Sequence, residues 1–302
     1  MNELRLRADP VVAPSESSGP RISRFRRVRR FAFYSAVRGL VSGVRALPQG
    51  VATGLLLSLA RVARMARPAD RAAARRRVAR AFPELDPNSA RRRADQSWDR
   101  LAINLRDMVR TDARIEIEAE DLARLQAARE RGPVLALMAH LGAWELAANA
   151  LARHAAPFGA LTANPHNPRV DRWLQSERAA RGVHVFDRDA DAAAATRFLR
   201  RGGTLAVLAD HRPRGASVLG SWFGVEVPTT TGPGRMARIA RARILPVAVE
   251  RIGNGHRLVV GEGFEPTGDL HRDVARCNEA LEEMIRHQPE EWTWLHARSD
   301  SR

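Results

Sequence analysis

The 302 residues contain no lysine; all 50 basic side chains are arginine. That excludes a lysine Schiff base and a P-loop lysine for nucleotide phosphates. The single cysteine, Cys277, cannot form an internal disulfide, so nothing points to an oxidising compartment. No Cys/His cluster has metal-ligand spacing and no glycine-rich nucleotide fingerprint occurs, so no metal and no cofactor are expected. Aromatic residues make up only 5% of the chain, which leaves the core to alanine, leucine and valine. The uncharged stretch Gly50 to Ala60 is shorter than the roughly 20 apolar residues that cross a bilayer, and Arg38 and Arg45 interrupt any longer window. No signal peptide with a cleavage site is read.

Acidic residues are also scarce, but only in one place. The formal charge is +16, and residues 21–110 hold 22 arginines against 6 acids, while the remainder holds 28 of each. So local an excess implies a polyanionic surface, either membrane or nucleic acid. Residues 1–20, polar and interrupted by Pro10, Pro14 and Pro20, read as a disordered tail. Beyond the basic run 21–30, Phe33, Val37, Leu40, Val41 and Val44 recur at helical spacing, with Ser35, Arg38, Ser42 and Arg45 opposite. An apolar helical face beside a basic flank suits a helix lying on an anionic membrane; the alternative is that these helices pack on the core. Pro83 closes the next helix, and Asp86 or Asn88 caps one that carries Trp98, Leu101, Leu105 and Met108 on one face.

From Gly132 the texture changes. Apolar runs at 134–139, 158–162, 183–186, 204–209, 244–249 and 257–260 alternate with helical patterns at 143–154, 169–181, 190–200 and 233–242. A last helix spans about 271–287, and an aromatic, polar tail ends the chain. The alternation predicts an α/β fold with a mostly parallel sheet flanked by helices. The domain reading is therefore a tail at 1–20, a basic amphipathic helical region for membrane association at 21–110, and an α/β core at 111–302.

Chemistry concentrates where the first of these runs ends. His140 follows the buried strand, Gly142 turns the chain, and Glu145 sits in the opening turns of a helix. In open α/β sheets ligands bind beyond the carboxyl ends of the strands. On one ideal helix the two side chains would be about 140° apart, so they meet only if His140 precedes the helix. A general base with an orienting carboxylate is one reading; a hydrogen-bonded strand-end histidine beside an ordinary surface glutamate is the other.

Several motifs in series resemble the late acyltransferases of lipid A biosynthesis, within the lysophospholipid acyltransferase superfamily and its His-x4-Asp/Glu signature. They are RRRVARAFPEL at 75–85, His140-Leu-Gly-Ala-Trp-Glu145, and Asn167-Pro168 with Asp171, Arg178 and Gly182. Leu208-Ala209-Asp210-His211, Trp222-Phe223-Gly224, Thr229 to Pro233, and Pro289 through Trp292 and Trp294 to His296 follow. The order holds from about residue 30 to the end. Two departures stand out. Thr162-Ala163-Asn164 replaces the family's Tyr-Arg-Pro, and Ala297 intervenes before Arg298.

The resemblance implies a glycerol-phosphate-acyltransferase-like core. It also implies transfer of a fatty acyl chain from a thioester, on acyl carrier protein or coenzyme A, to a hydroxyl of a lipid A-type glycolipid. His140 is then the general base and Glu145 the carboxylate that holds its tautomer. Backbone amides near Gly142 are expected to face the oxyanion. Substrate binding is assigned to Asp171, Arg178, Asp210 and Arg235: the two arginines offer phosphate-matched forks, and the two aspartates orient the site. Trp292, Trp294 and His296 read as a packed terminal clasp, and His154, His166, His184 and His211 are given no partner. The expected location is the cytoplasmic face of the inner membrane, peripheral or monotopic, with an anionic lipid surface as partner and no nucleic acid. Open alternatives are another acceptor, such as a phosphatidylinositol mannoside or an ornithine lipid, a non-catalytic basic module for membrane or nucleic acid, and a degenerate scaffold of lipid synthesis.

Overall fold

The computed structural model describes residues 24–110, 113–163, 165, 167–295 and 298. The expected tail at 1–20, and His166 and His296, lie outside these residues.

Four helices lead the chain: α1 (Arg24–Ala46), α2 (Gln49–Ala66), α3 (Pro68–Ala81) and α4 (Pro87–Val109). Prolines punctuate them. Pro48 separates α1 from α2, Pro68 occupies the first turn of α3, and Pro83 follows its end. Asp86 caps α4 by accepting from the backbone N–H groups of Asn88 and Ser89 at 2.9 and 3.1 Å. The rest alternates as expected: β1 (Ile115–Ile117), α5 (Ala119–Glu130), β2 (Val134–Met138), α6 (Trp144–His154), β3 (Phe158–Thr162), α7 (Pro168–Ala179), β4 (Val183–Asp187), α8 (Ala192–Arg200) and β5 (Thr204–Leu208). A hairpin, β6 (Ser217–Trp222) and β7 (Val225–Thr230), precedes α9 (Gly232–Ala240). The chain closes through β8 (Arg243–Ile252), β9 (Gly255–Val260), α10 (Leu270–His287) and a 3-10 turn at Pro289–Glu291.

Seven strands form one sheet in the order β1-β9-β8-β2-β5-β3-β4. Strands β8, β2, β5, β3 and β4 run parallel; β9 is antiparallel to β8, and β1 follows β9. All six expected strands are present. β1 and the β6–β7 hairpin were not expected, because they lack apolar runs: β6 alternates exposed and half-buried residues until Trp222. The two-residue turn of that hairpin, Phe223 and Gly224, has positive φ at both positions (47° and 75°), as a tight right-twisted hairpin requires. Phe223 is held there by the Glu282 carboxylate on its N–H at 2.8 Å and by packing against Trp222 and Trp294.

The central strand β2 is buried on both faces, which accounts for its unbroken apolar sequence. Leu135 and Leu137 face one core layer with Val78 of α3, Ala237 of α9 and Leu281 of α10. Val134, Ala136 and Met138 face the other, with Leu125 of α5 and Leu146 of α6.

The basic segment is not uniform in the fold. Its second half packs on the sheet: Arg77 is buried and donates to the Trp294 carbonyl at 2.7 Å, and Asn104 donates to Glu291 at 2.7 Å. On α4, burial would raise the Asp95 carboxyl, but hydrogen bonds from Arg71 and Arg75 bring it down to about 2. Of the apolar face expected on α1, Val41 and Val44 are buried while Phe33 and Leu40 are exposed. α1 also exposes Phe25, Val28 and Phe31, and α2 carries a continuous exposed stripe of Val51, Leu55, Leu59, Val62 and Met65. At about 100° per residue these five fall within an arc of about 120°. α1 also lies against α7, through an Arg45–Glu177 ion pair at 2.8 Å and a hydrogen bond from Asn167 to the Arg30 carbonyl at 2.7 Å.

Candidate active site

The site grows from strand register. β2 and β5 are parallel neighbours with Met138 opposite Leu208. His140 and Asp210 each lie two residues further on, at the carboxyl ends of the strands, and meet there. The His140 backbone N–H donates to Asp210 Oδ2 at 3.0 Å, and His140 Nδ1 lies 2.9 Å from Asp210 Oδ1. A carboxylate accepts only, so Nδ1 carries the proton and Nε2 is the basic nitrogen of the neutral ring. Asp210 is fully buried, and the Trp292 indole N–H also donates to its Oδ2 at 2.9 Å. Arg298, likewise buried, donates to the Ala209 carbonyl at 3.2 Å and stacks over Trp222 at 4.0 Å; burial pulls its guanidinium down to about 10.

After His140 the chain must turn sharply. Gly142 has φ +60°, and a Cβ there would lie 2.4 Å from the Val249 carbonyl oxygen, so the close approach of α6 to β8 requires glycine. Its N–H donates to the Glu291 carbonyl at 3.1 Å. The amide expected to face an oxyanion at Gly142 is therefore already engaged.

This turn sets Glu145 against a different partner: among the described residues its carboxylate makes no hydrogen bond to His140. It is clamped by Arg178 of α7, with Nε 3.2 Å from Oε2 and Nη2 on Oε1. Burial lowers the Arg178 guanidinium, but the hydrogen bond and charge of Glu145 outweigh it and leave it raised. Glu145 and Arg178 thus form a bidentate pair of their own, and Asp210 occupies the place beside His140 that the family resemblance implied for Glu145. Asp171 accepts from Gln175 at 3.0 Å, two turns before Arg178 on α7. Arg235 stands exposed on α9 and lines a cavity of about 410 Å³ together with His211.

Two side chains were not foreseen at the site. The His211 ring stacks on His140 with centroids 4.0 Å apart and planes 10° from parallel, and Trp144 packs its ring edgewise at 5.0 Å. Burial, and then the neighbouring His140, push the His211 pKa down to about 4, so it stays neutral above that pH. A proton taken up by His140 therefore meets a neutral ring and a carboxylate. Trp292, read as part of a clasp, also donates to Asp210, beside the two donors of His140. The signal for the His140–Asp210 pair lay in the equal lengths of two apolar runs, 134–139 and 204–209, each followed directly by the residue in question.

His140, Asp210 and His211 bring three ligand-type atoms within 4.8 Å of one another. A single ion does not suit them. Imidazole lone pairs lie in the ring planes, the two planes are nearly parallel, and a metal–nitrogen bond of roughly 2 Å cannot lie in both. Nδ1 of His140 is also committed to Asp210.

A family model described as bacterial lipid A biosynthesis acyltransferase matches residues 20–299. Among curated proteins, the chain is 28% identical over 237 residues to a lipid A biosynthesis lauroyltransferase of Escherichia coli (strain K12), covering 73% of this chain and 76% of that one. It is 26% identical over 174 residues to a lipid A biosynthesis myristoyltransferase of the same organism, covering 55% and 53%. It is 28% identical over 148 residues to a lipid A biosynthesis palmitoleoyltransferase, also from that organism, covering 47% and 48%.

Proposed function

This chain belongs to the bacterial lipid A biosynthesis acyltransferase family, and on that premise we propose that it moves a fatty acyl chain from a thioester to a hydroxyl of a lipid A-type glycolipid, with His140 as general base. The observation that carries the proposal is the His140–Asp210 pair at the carboxyl ends of adjacent parallel strands, with Nε2 as the basic nitrogen. The acceptor oxygen attacks the thioester carbonyl carbon while His140 Nε2 takes its proton. The tetrahedral oxyanion collapses, the carbon–sulfur bond breaks, and the imidazolium returns the proton to the departing thiolate. Ester and free thiol result, and His140 is neutral again. Asp210 balances the transient imidazolium and fixes the tautomer. The reaction needs no protein nucleophile, and Cys277 is unsuited to be one: burial raises its thiol to about 12.

Arg178 is a weaker candidate for direct phosphate binding than its fork suggests, because Glu145 neutralises it. Ala163, where the family pattern places an arginine, favours a second reading in which the acceptor is another lipid, such as a phosphatidylinositol mannoside or an ornithine lipid. One experiment separates these. Purified protein is incubated with an acyl-carrier-protein or coenzyme A thioester and each acceptor, and mass spectrometry reads which lipid gains one acyl chain. A gain on the lipid A-type acceptor is expected; no gain on any acceptor from either donor would sink the acyltransferase reading of the site.

We further propose peripheral docking on the cytoplasmic face of the inner membrane through α2. None of the helices among the described residues is long and apolar enough to cross a bilayer. The exposed stripe of α2 is bordered by exposed Arg61, whereas Arg64 turns to α4 and donates to the Asp95 carbonyl at 2.9 Å; a basic residue flanking an apolar face favours anionic lipid. Flotation with phosphatidylglycerol vesicles should exceed that with neutral vesicles. Leu55→Asp with Val62→Asp should lower it at least tenfold without changing the melting temperature. Equal flotation of the double variant would rule α2 out as the docking face.

A further inference from the structure

The cavity of about 410 Å³ beside the site has two distinct parts. Its apolar lining is Leu161 of β3 with the buried Val207 of β5 and Met236 of α9, and exposed Ile239 of α9 at the surface. Its rim is cationic, set by Arg188, Arg212, Arg214 and Arg235 with Asp189 as acid. Arg188 is engaged with Asp189 at 2.9 Å. Arg212, Arg214 and Arg235 are exposed and make no hydrogen bond or ion pair among the described residues, although the charge of Arg214 is felt by the Asp189 carboxylate. This sets them apart from Arg71, Arg75, Arg178, Arg251 and Arg257, each of which is paired with a carboxylate. His211 forms part of the lining, and its ring lies flat on His140 at 4.0 Å, so the cavity begins one ring away from the basic nitrogen.

An apolar lining under unpaired guanidinium groups fits neither a free anion nor a neutral lipid. It fits an amphiphile with an alkyl chain and an anionic head; carboxylate and phosphate both match the guanidinium fork, and phosphate, with up to two charges and three free oxygens, suits a rim of several arginines. We propose that this cavity binds the acyl-and-phosphate portion of a substrate, the chain lying on Leu161, Val207 and Met236 and the phosphate held by Arg214 and Arg235, with Arg212 beside them. The assignment rests on the reading of His140 as the centre of acyl transfer. Two substrates share this chemistry: the phosphopantetheine arm of the thioester donor, and a phosphate on the glycolipid acceptor.

The test uses the full chain and dodecyl phosphate, below its micelle concentration, in a calorimetric titration. Dodecyl phosphate is expected to bind at least tenfold more tightly than inorganic phosphate or dodecanol. Arg214→Ala with Arg235→Ala should weaken it at least tenfold, as should Ala193→Trp, which puts bulk at an exposed position of the cavity lining. His140→Ala should leave it unchanged. Absence of binding, or binding indifferent to the arginine pair, overturns the proposal. In the transfer assay, competition with the thioester identifies the donor phosphate and competition with the glycolipid identifies the acceptor phosphate; competition with neither also overturns it. Tight, arginine-dependent binding in a protein that transfers no acyl chain would leave the cavity assignment standing and remove the transferase reading, so the two failures are distinguishable.

Discussion

Asp210→Asn is expected to abolish most acyl transfer, by a factor on the order of 10⁴, the size of a carboxylate-to-amide change behind a catalytic histidine. The reason lies in the hydrogen-bond directions. Asp210 Oδ2 accepts from both the His140 backbone N–H and the Trp292 indole N–H. An asparagine must place its carbonyl oxygen at that corner, because two donors already point there. Its NH₂ then takes the Oδ1 corner, facing His140 Nδ1, which must become an acceptor. The ring proton moves to Nε2, and the nitrogen that should take the acceptor's proton no longer has a lone pair to offer. The substitution is nearly isosteric in a fully buried position, so folding should survive. Glu145→Gln is the control. It keeps an acceptor for Arg178, and Glu145 makes no hydrogen bond to His140 among the described residues, so its loss should stay below about tenfold, in the range of a partly exposed ion pair. Rates for both variants, with circular dichroism to verify folding, decide the matter: a larger loss in Glu145→Gln than in Asp210→Asn would return the orienting role to Glu145.

Removing the proposed base comes next. His140→Ala is expected to reduce transfer by a factor on the order of 10² to 10⁴, with the acceptor KM little changed, because the imidazole acts on the proton in flight. It also has a structural cost. The buried Asp210 loses the Nδ1 donor while keeping the His140 backbone N–H and Trp292. Leaving a buried carboxylate short of one donor costs about 1–3 kcal/mol, so a modest fall in melting temperature should accompany the kinetic loss. His140→Gln, which can restore a donor toward Asp210, should recover the stability but not the rate. Full activity in either variant would exclude His140 as the base.

Much of this was legible locally. The run Val134 to Ala139 announced a strand buried on both faces, and the glycine after His140 announced a sharp turn. The capping role of Asp86 and the prolines between the leading helices were readable because capping and φ restriction act within a few residues. The β6–β7 hairpin was not readable from hydrophobicity, because β6 faces solvent on alternate residues and is stabilised by pairing and by the aromatic cluster around Phe223. Nor was the split of the basic segment. The arginines of α3 and α4 look alike in sequence to those of α1 and α2, and only packing against the terminal turn and the sheet separates Arg77 from an arginine in solvent.

By itself the sequence determined the α/β class, the strand that presents His140, the concentration of positive charge ahead of the core, and the ordered motifs that mark the family. These depend on periodicity, backbone restriction and residue identity, which are local. The tertiary structure decided which acid faces His140, which arginines are neutralised by carboxylates, and which helix carries a continuous exposed apolar stripe. Those outcomes depend on parallel register between strands seventy residues apart, and on how α6, α7 and α9 dock on the sheet. Glu145 is five residues from His140 along the chain, yet the turn at Gly142 carries it to Arg178; Asp210 is distant in sequence, yet two strands of equal length end side by side.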